Sequence, residues 1–347
     1  VSKRGEDTIE VRPPRETPVL FGHREAEAAL LAAYRSGRIP HAWLLTGARG
    51  IGKATLAYRM ARFVLAHPDP ASSLVQQAAD LAVDPEHPAA RKVAGGSHGG
   101  LLTLERGVND KGVMRTVITV DDTRETIGFF GATAGAEGWR VCIVDPVDEL
   151  NANAANALLK ILEEPPERAL FLLVSHSAAR VLPTIQSRCR RLPLRPLGLG
   201  DLTQAVAASL GLDPADGELA AAAEAAEGSA GRAAMLLGGG ALGLAQRTRA
   251  ALDQLPRVDP KGLHQLGDAL AGTDRAALAA FVDSIERWMS DRLQVADANA
   301  NLPQLARLAE VWEKISRAAR DTEAYNLERK PLVFSAFGML ADATRPS

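Results

Sequence analysis

Cysteine is scarce in this sequence. Cys142 and Cys189 are the only two in 347 residues, too few for a disulfide framework or a four-cysteine zinc site. Long apolar runs are missing as well: none approaches the ~20 residues that span a bilayer. The polar opening VSKRGEDTIE lacks the apolar core of a signal peptide. A cytoplasmic protein with no membrane partner is therefore expected. Charge of one sign is the third absence. Forty Lys and Arg against 42 Asp and Glu leave a net charge of -2, which gives no chain-wide electrostatic footprint for DNA. Any nucleic-acid contact must be local or shared with partners. What is present, 46% hydrophobic and 24% charged residues, is the composition of a soluble globular chain, and its length implies two or three domains.

Up to about residue 195, short apolar runs alternate with helical spacing. Strands are expected at Leu101–Leu104, Val117–Val120, Val141–Val144 and Phe171–Val174, besides one ending at Leu45. Continuous apolar runs of this length suit a parallel sheet covered by helices on both faces. The Pro-, Gly- and His-bearing stretch from Ala66 to Gly100 interrupts the rhythm and reads as a surface insertion. LPLRPLGLG, from Leu192 to Gly200, reads as a hinge. Ala-rich helical patterns follow as far as Gly238–Gly240, a second linker, and the remainder has mostly helical spacing, as in Leu278, Phe281, Ile285, Trp288 and Met289. The expectation is an α/β domain over 1–195, a small helical domain over 196–240 and a helical domain over 241–347.

The most telling stretch is HAWLLTGARGIGKATLAYRM, from His41 to Met60: strand, glycine-rich turn with a lysine, helix. Phosphate-binding loops follow G-x-x-x-x-G-K with Ser or Thr. Gly47, Gly50, Gly52 and Lys53 are in place, so backbone N–H groups and a helix N-terminus can cradle phosphate. The next residue, however, is Ala54, which removes the hydroxyl that normally holds Mg²⁺. Thr55 comes one position late, turned by roughly 100°. In RVCIVDPVDEL a buried strand ends in Asp145, the place for a metal-associated carboxylate. The residue after it is Pro146, where hydrolytic relatives of this loop commonly carry a water-polarising Glu. Asp148 and Glu149 lie further on, as solvated charges or as substitutes for that base. Both departures point to a loop that binds ATP or ADP, with Mg²⁺ weakly supported and turnover slow or absent.

NALLKILEEPPERALFLLVSHSAARVLPTIQSRCRRLPL, from Asn156 to Leu194, resembles the clamp-loader branch of the AAA+ ATPases. Its helix, Asn153 to Glu164, carries Ala155, Leu158, Leu159 and Leu162 on one stripe and stops at Pro165-Pro166. The resemblance runs from about Pro18 to the C-terminus, through EGSAGRAAML and NLERKPLVFSAFGML. It implies an AAA+ P-loop domain, a helical lid and an all-α collar. It places Ser175 at the polar sensor 1 position after the strand. In Ser187-Arg188-Cys189 it makes Arg188 an arginine finger acting on a neighbour's nucleotide, where a planar guanidinium pairs with phosphate. Cys189 is then a packed residue. Where the motor subunits carry the sensor 2 arginine, this sequence has Gly231, with Arg232 one position later. Relatives often carry a four-cysteine zinc module after the loop. The insertion here has none, and its His67, His87 and His98 read as solvated, so zinc is not expected.

The function implied is a stator of a clamp-loader complex, component of DNA polymerase III, with weak or no ATPase of its own. Its partners would be the gamma/tau and delta subunits, the sliding clamp and primed DNA. Arg188, Arg190, Arg191 and Arg195 form a basic cluster for a subunit interface, solvent or a nucleic-acid backbone. The apolar faces of the C-terminal helices exceed what one helical layer can bury and are expected to meet partner subunits. An active motor ATPase of the same branch and a stand-alone AAA+ regulator or chaperone are the competing readings.

Overall fold

A computed structural model describes residues 12–107, 115, 117–131, 138–238, 240–271, 275–295 and 302–345. The opening VSKRGEDTIE and the middle glycine of the 238–240 linker lie outside these. The chain divides into two compact units, Glu10–Gly231 and Arg232–Ser347.

The first unit carries α1 (Arg24–Arg35), β1 (Ala42–Thr46), α2 (Lys53–Ala66), α3 (Ser73–Gln77), α4 (Pro88–Ala94), β2 (Leu101–Leu104), α5 (Val120–Gly131), β3 (Arg140–Val144), α6 (Ala152–Glu163), β4 (Ala169–Ser175), α7 (Pro183–Gln186), β5 (Arg190–Pro193), α8 (Leu199–Leu210) and α9 (Gly217–Ala225); α10 (Ala230–Leu236) begins in it and continues past Gly231 into the second. The sheet has the order β2-β3-β4-β1-β5, and every pairing is parallel. Alternation along the strands divides the apolar residues between two cores. Trp43, Leu45, Val141, Ile143, Leu172 and Val174 face α1 and α2. Leu44, Cys142, Val144, Phe171 and Leu173 face the side of α6, where Ala155, Leu158 and Leu162 are buried as the stripe requires and Leu159 packs half-buried beside them. Asn151 caps α6 by accepting from the Ala154 amide at 2.8 Å. This is the expected α/β class with a parallel sheet.

Three local expectations are corrected. Val117–Val120 is not a strand: only Ile118 bridges, to Leu150. Thr119 instead starts α5, its amide and hydroxyl both donating to Asp122 Oδ2 at 2.8 and 2.6 Å, and such side-chain caps favour a helix start over an extended run. The presumed hinge begins inside β5, an edge strand whose exposed Arg190 and Arg191 hid it from an apolar-run search. The 66–100 stretch is no mere surface excursion either. Val75, Leu81 and Val93 are fully buried in the α1/α2 core, and the Leu81 amide donates to Glu27 at 3.1 Å. Its histidines are partly buried and occupied: His87 Nδ1 caps α4 through the Ala89 amide at 3.2 Å, His98 Nδ1 accepts from the Gly100 amide at 3.0 Å, and the His67 ring lies 5.0 Å from that of Phe63.

The second unit carries α11 (Ala241–Asp253), α12 (Pro260–Leu270), α13 (Arg275–Val295), α14 (Leu302–Ala324) and α15 (Lys330–Thr344). Its core includes Leu278, Phe281, Ile285, Trp288 and Met289 at helical spacing. α15 supplies Val333, Ala336, Phe337 and Leu340 to the same core. The apolar stretch NLERKPLVFSAFGML thus contributes largely to the core of its own unit. Tyr325 and Leu327, in the turn before α15, remain exposed. Among the described residues, no helix is long and apolar enough to cross a membrane.

Candidate functional site

The carboxyl ends of parallel strands leave a crevice where successive crossovers diverge to opposite sides. In the first unit the turn after β1 runs through Gly47, Gly50 and Gly52, all at positive φ (145°, 75° and 101°). A Cβ at Gly47 would lie 2.5 Å from the Leu194 carbonyl oxygen, and one at Gly50 would lie 2.5 Å from Ser229 Oγ. Only glycine fits at either position. The loop is also held from outside. Ser229 Oγ donates to the Arg49 carbonyl at 2.9 Å, the Gly231 amide to the Gly50 carbonyl at 3.1 Å, and His23 Nε2 meets the Ile51 carbonyl at 2.6 Å.

Beside this loop lies a cavity of about 550 Å³, a size suited to a small-molecule ligand. Its polar lining includes Arg49, Lys53, Glu105, Arg106 and Asp145, and its apolar lining includes Val19, Leu20, Phe21, Leu197 and Ala208. The N-terminal stretch that supplies one wall is clamped by α2. Arg62 donates to the Arg15 and Thr17 carbonyls at 3.0 and 2.6 Å, and Arg59 donates to the Pro18 carbonyl at 2.7 Å. Arg59 is itself ion-paired with buried Glu27 at 2.5 Å.

Lys53 is buried, and its amine donates to the carbonyls of its own loop, Gly47 at 2.7 Å and Ala48. Burial pulls its pKa down to about 8, against the opposing pull of Asp145 and Asp148. Burial likewise pushes Asp145 up to about 6, with Lys53 working against the rise. A desolvated cation beside a desolvated carboxyl, above a glycine cradle and a helix N-terminus, is an arrangement that gains from an incoming phosphate. The metal side is poorer. Ala54 and Pro146 both line the cavity, and neither has a side-chain ligand. Among the described residues no His, Cys, Asp and Glu group is arranged to hold a metal ion. The residues present therefore fit nucleotide phosphates better than a cation.

Of the residues singled out from sequence, Gly50, Gly52, Lys53, Ala54, Thr55 and Asp145 share this cavity wall, and Gly47 joins through its bond to Lys53. Asp148 and Glu149 are not solvated charges. Asp148 accepts from the His176 amide at 3.0 Å, and Glu149 pairs with Arg106 at 2.8 Å. Ser175 is fully buried with its hydroxyl unpartnered, and it is Val174 and His176 that line the cavity. His176 escaped the sequence reading, although the two-residue period of a strand puts it on the face of Val174 and opposite Ser175. Its Nδ1 is buried without a partner, and burial, followed by the nearby Lys53, lowers its pKa to about 4. Nothing in the sequence marked the wall contributed by residues 17–21.

Arg188 is not on this wall. It sits between α7 and β5, donating to Glu163 Oε1 at 2.6 Å and to the Thr184 carbonyl at 2.8 Å. Cys189 packs against the α6-side core, and burial raises its thiol to about 12. Arg190 lies 5.0 Å over the Trp43 ring, and Arg191 bonds Gln186. In the second unit Arg232 pairs with Asp283 at 3.1 Å.

The family described as "DNA polymerase III, delta subunit" matches residues 22–198, about half of the chain, with all five strands of the sheet. The chain is 40% identical over 149 residues to the DNA polymerase III subunit delta' of Pseudomonas aeruginosa, covering 43% of this chain and 41% of that one. It is 30% identical over 330 residues to the subunit gamma/tau of Mycobacterium bovis, covering 91% of this chain and 53% of the relative. It thus spans about half the length of these curated relatives. A solved gamma subunit-related protein of Thermotoga maritima aligns over 91% of this chain and 99% of its own length, at 16% identity and a TM-score of 0.40.

Proposed function

We infer the function from one premise, that the chain belongs to the DNA polymerase III delta subunit family, and propose that it is the delta' subunit of a clamp loader. In this reading it is a stator that joins gamma/tau and delta subunits, and the complex opens the sliding clamp and places it on primed DNA. Residues 196–240 act as the lid and 241–347 as the collar that holds the subunits together. The cavity at the phosphate loop takes ATP or ADP. Lys53, the glycines and the α2 N-terminus meet the phosphates, His176 supplies the polar contact at the end of β4, and the apolar lining receives the base. The observation that carries the stator reading is the pair Ala54 and Pro146, which both face the cavity where a metal ligand and a water-polarising acid would be required. Catalysis by this chain is then in trans, through Arg188.

A second reading, an active motor subunit, draws support from the longer alignment to gamma/tau. ATP turnover separates the two. The purified chain should show little or none, whereas in the reconstituted complex Arg188→Ala should leave assembly intact and lower clamp- and DNA-stimulated ATPase. Turnover by the purified chain that Lys53→Ala abolishes would establish the motor reading instead.

A further inference from the structure

Arg188 has both arms of its guanidinium engaged by the chain's own acceptors, Glu163 Oε1 at 2.6 Å and the Thr184 carbonyl at 2.8 Å. Its backbone is fixed as well. The Arg188 amide donates to the Ile185 carbonyl at 3.1 Å and the Cys189 amide to the Gln186 carbonyl at 3.3 Å. The Gln186 side chain ties this turn to the Ala178 and Val181 carbonyls at 2.8 and 2.7 Å. The side chain is therefore the part free to reorient. Glu163 is the last residue of α6, where the unpaired carbonyls of a helix end already carry partial negative charge. A carboxylate there is unfavourable unless a cation answers it.

The two side chains are 33% and 50% exposed, so solvent and a docking subunit can reach the pair. A phosphate and a carboxylate cannot share one guanidinium cheaply, because two anions within about 4 Å of each other repel even at a protein surface. The Thr184 carbonyl is neutral and yields more easily.

We propose that Glu163 is a positioning residue that parks Arg188 against α6, and that a nucleotide phosphate on a neighbouring subunit must displace its carboxylate before the arginine can act. The inference rests on the reading of Arg188 as a finger in trans. It adds that the finger is held in reserve by an anion competing for the same donors. Exposed ion pairs are weak, so the hold is mild: its removal is worth at most about fivefold in the availability of Arg188. Such a hold favours engagement only where a neighbour presents phosphate.

Four reconstituted clamp-loader complexes test this, carrying the wild-type chain, Glu163→Gln, Arg188→Ala or both substitutions. Assembly is followed by gel filtration and clamp- and DNA-stimulated ATPase on the same samples. Glu163→Gln keeps shape and hydrogen bonding and removes only the charge. It should raise the rate, or lower the ATP concentration needed for half-maximal rate, by up to about fivefold. The double variant should match Arg188→Ala alone. A merely structural glutamate would not show that dependence on Arg188. A fall in rate with Glu163→Gln, no change, or a rise that persists without Arg188 would overturn the parking role. If Arg188→Ala leaves the ATPase unaltered, the finger reading fails, and the parking role with it.

Discussion

Lys53→Met should make the protein more stable at neutral pH, because the structure holds a cation where burial disfavours it. The fall from 10.5 to about 8 corresponds to roughly 3 kcal/mol of cost for keeping Lys53 charged in the fold. Below pH 8 the amine is protonated in both folded and unfolded chains, and the full cost is present. Between pH 8 and 10.5 the folded chain releases the proton while the unfolded chain keeps it, so stability rises with pH. Above 10.5 the cost is gone. Methionine has similar length and no charge. The gain is smaller than the full cost, since the Gly47 and Ala48 carbonyls lose their donor and Asp145 loses the cation that restrains its own rise. A net gain of about 1–2 kcal/mol at pH 7 is expected. Urea unfolding of both proteins from pH 6 to 11 measures it. The advantage of the variant should shrink through pH 8–10.5, other titrations being common to both chains. A wild type that is more stable at pH 7, or an advantage undiminished above pH 10.5, would refute the claim that Lys53 is charged and strained.

Asp145→Asn should act with the opposite pH dependence. Its carboxyl is raised from 3.8 to about 6, so the cost of its charge is present above pH 6 and absent below 3.8. Unfolding should show a gain of up to about 3 kcal/mol at pH 7 and none at pH 3.5. Arg59→Leu removes the partner of buried Glu27 and the donor to the Pro18 carbonyl. It should cost about 3–5 kcal/mol by strand-by-strand hydrogen exchange or thermal unfolding. Adding Glu27→Gln should recover part of that loss, and a double variant no better than the single would show that the ion pair is not the cause.

Much of this protein was decided locally. Strands buried on both faces must be apolar throughout, so β1, β3 and β4 announced themselves. So did the 3.6-residue stripe of α6 and the glycines at Gly47, Gly50 and Gly52, whose positive φ no other residue adopts as cheaply. The missing side chains at Ala54 and Pro146 were equally plain, since what a side chain cannot ligate is a property of the residue itself. The remainder depended on neighbours far away in the chain. β5 is a strand because β1 offers it an open edge, not because Arg190 and Arg191 favour one. Val75 and Leu81 are core residues because α1 and α2 leave a face for them, and Glu27 reaches the Leu81 amide across the fold. The register of β4 turned His176 toward the cavity and Ser175 away. Burial, which exists only once the chain has folded, lowered Lys53 and raised Asp145, and the packing of α7 against α6 set Arg188 beside Glu163. Sequence fixes which groups are available, whereas desolvation and opposition of charge arise from distances that only the tertiary fold creates.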